Sequence, residues 1–405
     1  MQFGSRTAID EFLTALHVTP AGAQPVQATP TSAVAADEAA ERQRRQVKEL
    51  EEFTQKLVVP SETDRAVFFW RKAEAQTNNA RAGSPAKAWA EATREYRNYF
   101  WDEVIGRFRA PGTPLNACTR LFRDEPAWRG YIVVLDMWPG AITWGYLLVP
   151  KDIKPGERRP AMVCQHGGSS TPDSTLDAGS RAYKAYAGQL ADLGYVVFSP
   201  YNPNYARGRE RMTELQRLAN PLKKSIFSVI AAQHNRVLDF LGGLPFVDAG
   251  RIGFYGLSYG GKTAMRVPAL LERYAVTICS GDFNEWVRKT VSVDAAPGVT
   301  TPAYQFSSYM FVGDYEIPEF DLARTFNYAE MAALIAPRPF MVERGHYDRV
   351  GSDEWVAYEY AKVFRLYNAT LKLPEHTAIE YFDGGHEIHG QGTFDFLHRH
   401  LQWPR

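Results

Sequence analysis

Arg251-Ile-Gly-Phe-Tyr-Gly-Leu-Ser258-Tyr-Gly-Gly-Lys262 is the stretch on which the fold turns. Arg251–Tyr255 is strand-like, Lys262–Leu271 is compatible with a helix, and between them Gly256-Leu257-Ser258-Tyr259-Gly260 sets glycines two before and two after a serine. The spacing has a steric reason. A sharp strand-to-helix turn brings backbone and side chains together, and only residues without a Cβ fit at those two places. The serine at the centre is pushed outward, and Gly261 adds room at the helix start.

Outward from this turn, short β-rich runs (Tyr131–Leu135, Ile142–Val149, Ala161–Cys164, Tyr195–Phe198, Ala275–Cys279, Pro339–Val342) alternate with helical stretches such as Leu222–Leu241. Such alternation predicts a mostly parallel sheet covered by helices on both faces, with the first two runs forming an antiparallel hairpin at its edge. No internal repeat is visible.

A serine hydroxyl is a weak nucleophile near neutral pH and needs a base, itself held in one tautomer by a third group. Of nine histidines, His386 follows Asp383-Gly384-Gly385 after the strand-like Thr377–Phe382, on a loop near the C-terminus. The chain order serine, acid, histidine then applies. His389, His398 and His400 are the alternatives, the last two within Thr393–Leu401, which reads as a closing helix. His386-Glu387-Ile388-His389 lacks the zincin spacing, so no metal site is expected. For the acid, Met341-Val-Glu-Arg-Gly-His-Tyr-Asp348 offers Asp348 just past a strand end, with Glu343 as its competitor; Asp383 suits a turn ahead of two glycines.

An oxyanion needs backbone donors fixed in advance. Tyr259, after the serine, supplies one. Gln165-His166-Gly167-Gly168, ending the Ala161–Cys164 run, offers the second from Gly168 or Gly167, with His166 as a support of the loop or a substrate contact.

Lys+Arg and Asp+Glu both total 46, so no basic surplus marks a nucleic-acid partner. Apolar residues at 45% and aromatics at 13% fill a sizeable core. Three cysteines, Cys118, Cys164 and Cys279, make no disulfide framework, and the last two lie in apolar runs where cysteine packs as a small hydrophobe. No stretch of about 18 uncharged apolar residues suggests a membrane span. Asp10 and Glu11 interrupt the apolar core a secretion signal requires, which favours a cytoplasmic location without excluding secretion.

Residues 1–35, with no sustained period, read as a disordered leader rather than a packed element. Residues 36–110 read as a helical segment: Val47, Leu50, Phe53 and Leu57 are spaced for an amphipathic helix, and further helices start at Ser61 and at Ser84 with Pro85 in its first turn. The segment would serve as a lid, a dimer surface or a flank packed on the main domain, residues 111–405.

The runs Val247–Lys262, Ala336–Asp348 and Gly384-Gly385-His386 together resemble bacterial α/β-hydrolases related to dienelactone hydrolases and acetyl xylan esterases, over roughly Tyr131 to Leu401. The resemblance implies an α/β-hydrolase fold with an N-terminal helical appendage. It implies a carboxylic ester hydrolase using Ser258, Asp348 and His386, without a cofactor. Dienelactone hydrolases carry cysteine where Ser258 stands, which sets that activity aside. Glucuronoyl esterases, a neighbouring group, have arginine where Tyr259 stands.

Two segments follow strand ends and should overhang the site: Tyr201–Met212, with Tyr201 and Arg207, and Phe283–Tyr328, with Trp286. Their aromatics suit a sugar or aromatic ester, and their arginines a substrate carboxylate. The expected partner is a small-molecule ester, with a homo-oligomer open. A prolyl-oligopeptidase-type peptidase, a thioesterase and a silent binding scaffold are the rival activities; the helical segment of about 110 residues before the main domain cannot build the propeller gate of such a peptidase.

Overall fold

The computed structural model describes residues 6–16, 36–80, 83–109, 112–168, 170–203, 215–291 and 319–404. Its strands are β1 (Cys118–Asp124), β2 (Trp128–Trp138), β3 (Ala141–Pro150), β4 (Arg159–Gln165), β5 (Val196–Pro200), β6 (Val247–Leu257), β7 (Tyr274–Ser280), β8 (Phe340–Gly345) and β9 (Thr377–Phe382). They form one sheet in the order β1-β2-β3-β5-β4-β6-β7-β8-β9. The strands from β5 to β9 pair in parallel, and β1, β2, β3 and β5 pair antiparallel. β2 and β3 make the expected hairpin, but β1 lies outside them as the true edge. Six of its seven residues are exposed, so its sequence carries no apolar alternation to announce it.

The side-chain period of two divides the central strands between two cores. Ala161, Val163, Phe254, Phe340 and Val342 face one, covered by the Ile226–Gly243, Tyr259–Leu270, Tyr328–Ile335 and Asp353–Arg365 helices. Met162, Cys164, Tyr255 and Met341 face the other, under the Tyr186–Asp192 and Gln391–Leu401 helices. β4 is buried along its whole length, as a central parallel strand must be.

Contacts divide the chain into Met1–Thr54 and Gln55–Arg405. In the first unit Arg6–Ala15 is a helix within the stretch that reads as a disordered leader, and all but the last residue of the Ala36–Gln55 helix follows, laced by surface ion pairs such as Arg42–Glu38 and Arg45–Glu49. In the second unit the helices between Val58 and Ile105 have no core of their own: Phe69, Trp70, Trp89 and Phe100 pack in the same cluster as Val163 and Phe254. Trp89 donates its indole N–H to the Ala333 carbonyl at 2.9 Å, and Arg97 caps the Ala269 and Leu334 carbonyls. These helices are a flank of the sheet. Among the described residues no helix is long and apolar enough to cross a membrane.

Candidate active site

Ser258 occupies the one-residue corner between β6 and the Tyr259–Leu270 helix, with φ 63° and ψ −122°. A non-glycine residue there is strained, and the surroundings over-determine it. Its N–H donates to the Ser280 carbonyl of β7 at 3.0 Å, and its carbonyl accepts from Lys262 at 2.8 Å. The two flanking glycines meet each other: a Cβ on Gly256 would fall 2.3 Å from the Gly260 carbonyl oxygen, and one on Gly260 would fall 2.3 Å from that of Gln165. Ser258 itself is partly exposed, though its strand is buried.

β8 and β9 deliver the other two groups from neighbouring strand ends. Nδ1 of His386 lies 2.8 Å from Oδ2 of Asp348, whose side chain is 1% exposed while that of His386 is 35% exposed. Burial alone would raise the Asp348 carboxyl; the His386 charge and hydrogen bond, with Arg344 beside it, hold it below the usual carboxylate range instead. An ionised carboxylate only accepts, so Nδ1 carries the proton and Nε2 is left as the basic nitrogen. A Cβ on Gly281 would stand 3.1 Å from both Asp348 Oδ2 and His386 Cε1, and 2.8 Å from Leu257 Cδ1, the residue before Ser258. Asp348 and His386 thus meet beside Gly281, against the side chain that precedes Ser258.

Glu343, the competing acid, is elsewhere engaged. Its buried carboxylate accepts from the hydroxyls of Tyr255, Ser280 and Thr393 and from the N–H groups of His389 and Gly390. Burial, the largest influence on it, pushes its carboxyl up despite these bonds. His389 is turned to Glu380 at 2.7 Å and stacks on Phe382, and His400 sits 3.0 Å from the Glu375 carbonyl.

The loop after β4 packs on the serine, since a Cβ on Gly167 would touch that of Ser258 at 2.8 Å. The Gly167 N–H is already committed to the Tyr183 hydroxyl at 2.7 Å, which corrects its assignment as an oxyanion donor. Gly168 is the candidate left in this loop. Tyr259 is the first residue of the helix after Ser258, at the end where amide groups point away from the helix body.

His166 and Trp286 are corrected as substrate contacts. His166 is fully buried; its Nδ1–H donates to the Gly167 carbonyl at 2.8 Å and its Nε2 accepts the Asn202 N–H at 2.9 Å. Burial pushes its pKa down to about 4, so it is a neutral tie between the loops after β4 and β5. Trp286 is 0% exposed and stacks on Tyr328 at 5.4 Å between centroids. Tyr201 is partly exposed and stacks on Trp144 at 5.1 Å, beside His166. Arg207, with residues 204–214 and 292–318, lies outside the described residues. Tyr183, Ser280 and Arg344 escaped the sequence because no motif marks them: Tyr183 bonds the Gly167 N–H, Ser280 bonds Glu343 of β8, and Arg344 bonds the backbone of the turn after its own strand.

The strand order, the serine corner after β6 and the carboxylate and histidine after β8 and β9 define an α/β-hydrolase fold. No family model and no curated protein matches the sequence. Solved structures do. A Bacteroides fragilis protein assigned as an acetyl xylan esterase superposes with a TM-score of 0.57 at 16% identity, covering 76% of this chain and 80% of its own. An acetyl xylan esterase from Paenibacillus sp. R4 gives 0.51 at 19% identity, covering 82% and 99%. A glucuronoyl esterase from Solibacter usitatus gives 0.54 at 17% identity, covering 79% and 94%. At these identities the likeness is one of fold.

Proposed function

We propose that the chain is a serine carboxylic ester hydrolase acting on esterified carbohydrate. The observation that carries this is the buried Asp348 bonded to His386 at 2.8 Å, with both groups meeting Leu257, the residue before the strained, partly exposed Ser258, around Gly281. Nε2 of His386 takes the Ser258 proton as Oγ attacks the ester carbonyl. The N–H groups of Tyr259 and Gly168 hold the oxyanion, and Asp348 stabilises the imidazolium. Collapse expels the alcohol, which takes the proton from His386, and water then releases the acid by the same steps. The carbohydrate part rests on the structures of like fold, which are acetyl xylan and glucuronoyl esterases.

Hydrolysis of p-nitrophenyl acetate and butyrate by the wild type and by Ser258→Ala tests the chemistry. Turnover by the wild type and a loss of several orders of magnitude in the variant are expected. A folded wild type inert toward both esters and toward an organophosphonate serine probe would leave a binding scaffold. Acetylated xylo-oligosaccharides then test the substrate class, with release of acetate as the readout.

A further inference from the structure

Two consecutive residues at the end of β8 hold the two loops on which the proposed mechanism depends. Neighbouring side chains on a strand point to opposite faces. Glu343 accordingly lies with Tyr255 of the core under the Gln391–Leu401 helix, and Arg344 lies with the segment that leads into the Asp353–Arg365 helix. Both are buried, at 1% and 3% exposure.

Arg344 spans the acid loop. One guanidinium nitrogen, Nη2, donates to the Asp348 carbonyl at 2.9 Å and to the Gly351 carbonyl at 2.7 Å, while Nε donates to Asp353 Oδ1 at 2.9 Å. Asp353 is held from its other side by the His346 imidazole, which stacks on Tyr381. Nη1 is 3.7 Å from Asp348 Oδ2, beyond hydrogen-bond range. The guanidinium therefore grips the backbone around the carboxylate rather than the carboxylate. Glu343 does the same for the base loop. It accepts the N–H groups of His389 and Gly390, three and four residues past His386, and ties them to Ser280, whose carbonyl holds the Ser258 N–H.

We infer that Arg344 and Glu343 are paired positioning residues, Arg344 fixing the Asp348 loop and Glu343 fixing the His386 loop to the strand end beneath Ser258. The inference rests on the esterase chemistry proposed above. Neither residue touches the reacting atoms. A planar fork reaching two carbonyls and a carboxylate cannot be reproduced by an ammonium, so Arg344→Lys restores the charge without the grip.

The test is ester hydrolysis by Arg344→Met, Arg344→Lys and Glu343→Gln, with kcat normalised to the sites that react with an organophosphonate, so that misfolded protein is not counted. Each variant is expected to lose about 10- to 100-fold in kcat with KM within about threefold, as small displacements of catalytic groups do. The acid limb of the kcat/KM profile discriminates further for Arg344→Met. Loosening Asp348 weakens support of the imidazolium and moves the limb to lower pH, whereas mere removal of a nearby cation moves it to higher pH. Full recovery in Arg344→Lys, an upward limb shift, or a per-site kcat within about twofold of wild type in Glu343→Gln overturns the inference while the esterase reading stands. A wild type that neither hydrolyses esters nor takes the probe overturns both. Should Arg344→Met yield no reactive sites, Arg344→Lys alone decides.

Discussion

Oδ2 of Asp348 faces Nδ1 of His386 at 2.8 Å while Oδ1 accepts the Val350 N–H at 2.9 Å, so each oxygen of this buried carboxylate has its own donor. Asp348→Asn keeps the shape but places an amide against the ring, which favours the wrong imidazole tautomer. A loss of about 10⁴ in kcat is expected, by analogy with triads elsewhere. Retention of more than a tenth of wild-type kcat would move the acid role to another residue.

The same carboxylate makes an acid-side stability prediction. Its pKa is lowered in the folded chain, so its stabilisation is present above the ordinary carboxylate value of about 4 and is lost as pH falls through the lowered one. Thermal melts of wild type and Asp348→Asn should therefore converge as pH drops from about 5 toward 2. Parallel curves would contradict the linkage.

Gly281 sits at φ +61°, in the region that disfavours side chains, and a Cβ would press on Leu257, Asp348 and His386 together. Gly281→Ala should reduce kcat by about 100-fold or more, through displacement of the acid and base rather than loss of either. Ordinary esterase activity in this variant would show that the three groups do not act where they are placed.

Glu359 is fully buried with Glu330 and Glu285 near it, and burial, opposed by Lys362 and reinforced by those carboxylates, raises its pKa to about 7. A raised carboxyl favours the protonated fold, so stability is highest below the unfolded value of about 4.3 and declines as pH rises through about 7. Glu359→Gln mimics the protonated form. Its Tm relative to wild type should be more favourable at pH 8 than at pH 5, and a pH-independent difference would refute the shift.

Trp89 is 0% exposed and bonded to the Ala333 carbonyl. Trp89→Ala should cost about 3–5 kcal/mol in urea unfolding. Far-UV signal and esterase activity should fall in one transition, because the helices between Val58 and Ile105 share their core with the sheet. A small early transition that leaves activity intact would mean that the flank unfolds alone.

What was legible in the sequence was what is local. The serine corner needs its glycines at fixed offsets, and those offsets survive in the one-dimensional string. The choice between Asp348 and Glu343 was not settled by the sequence, since both lie within a few residues of one strand end and only the side-chain bonds show that Asp348 meets His386 while Glu343 turns to Tyr255 and Ser280. Trp286 looked like a ligand-facing aromatic because a buried stack on Tyr328 and an open ring have the same spelling. β1 escaped because exposure on both faces removes the pattern by which strands are found.

The bond from Trp89 to Ala333 spans 244 positions of sequence. During synthesis at about 5–20 residues per second, the flank helices leave the ribosome roughly 12 to 50 seconds before their partner is made. Through that interval Phe69, Trp70 and Trp89 lack Phe326, Glu330 and Ala333, their partners late in the chain, so the nascent chain carries an aromatic surface suited to capture by a holdase.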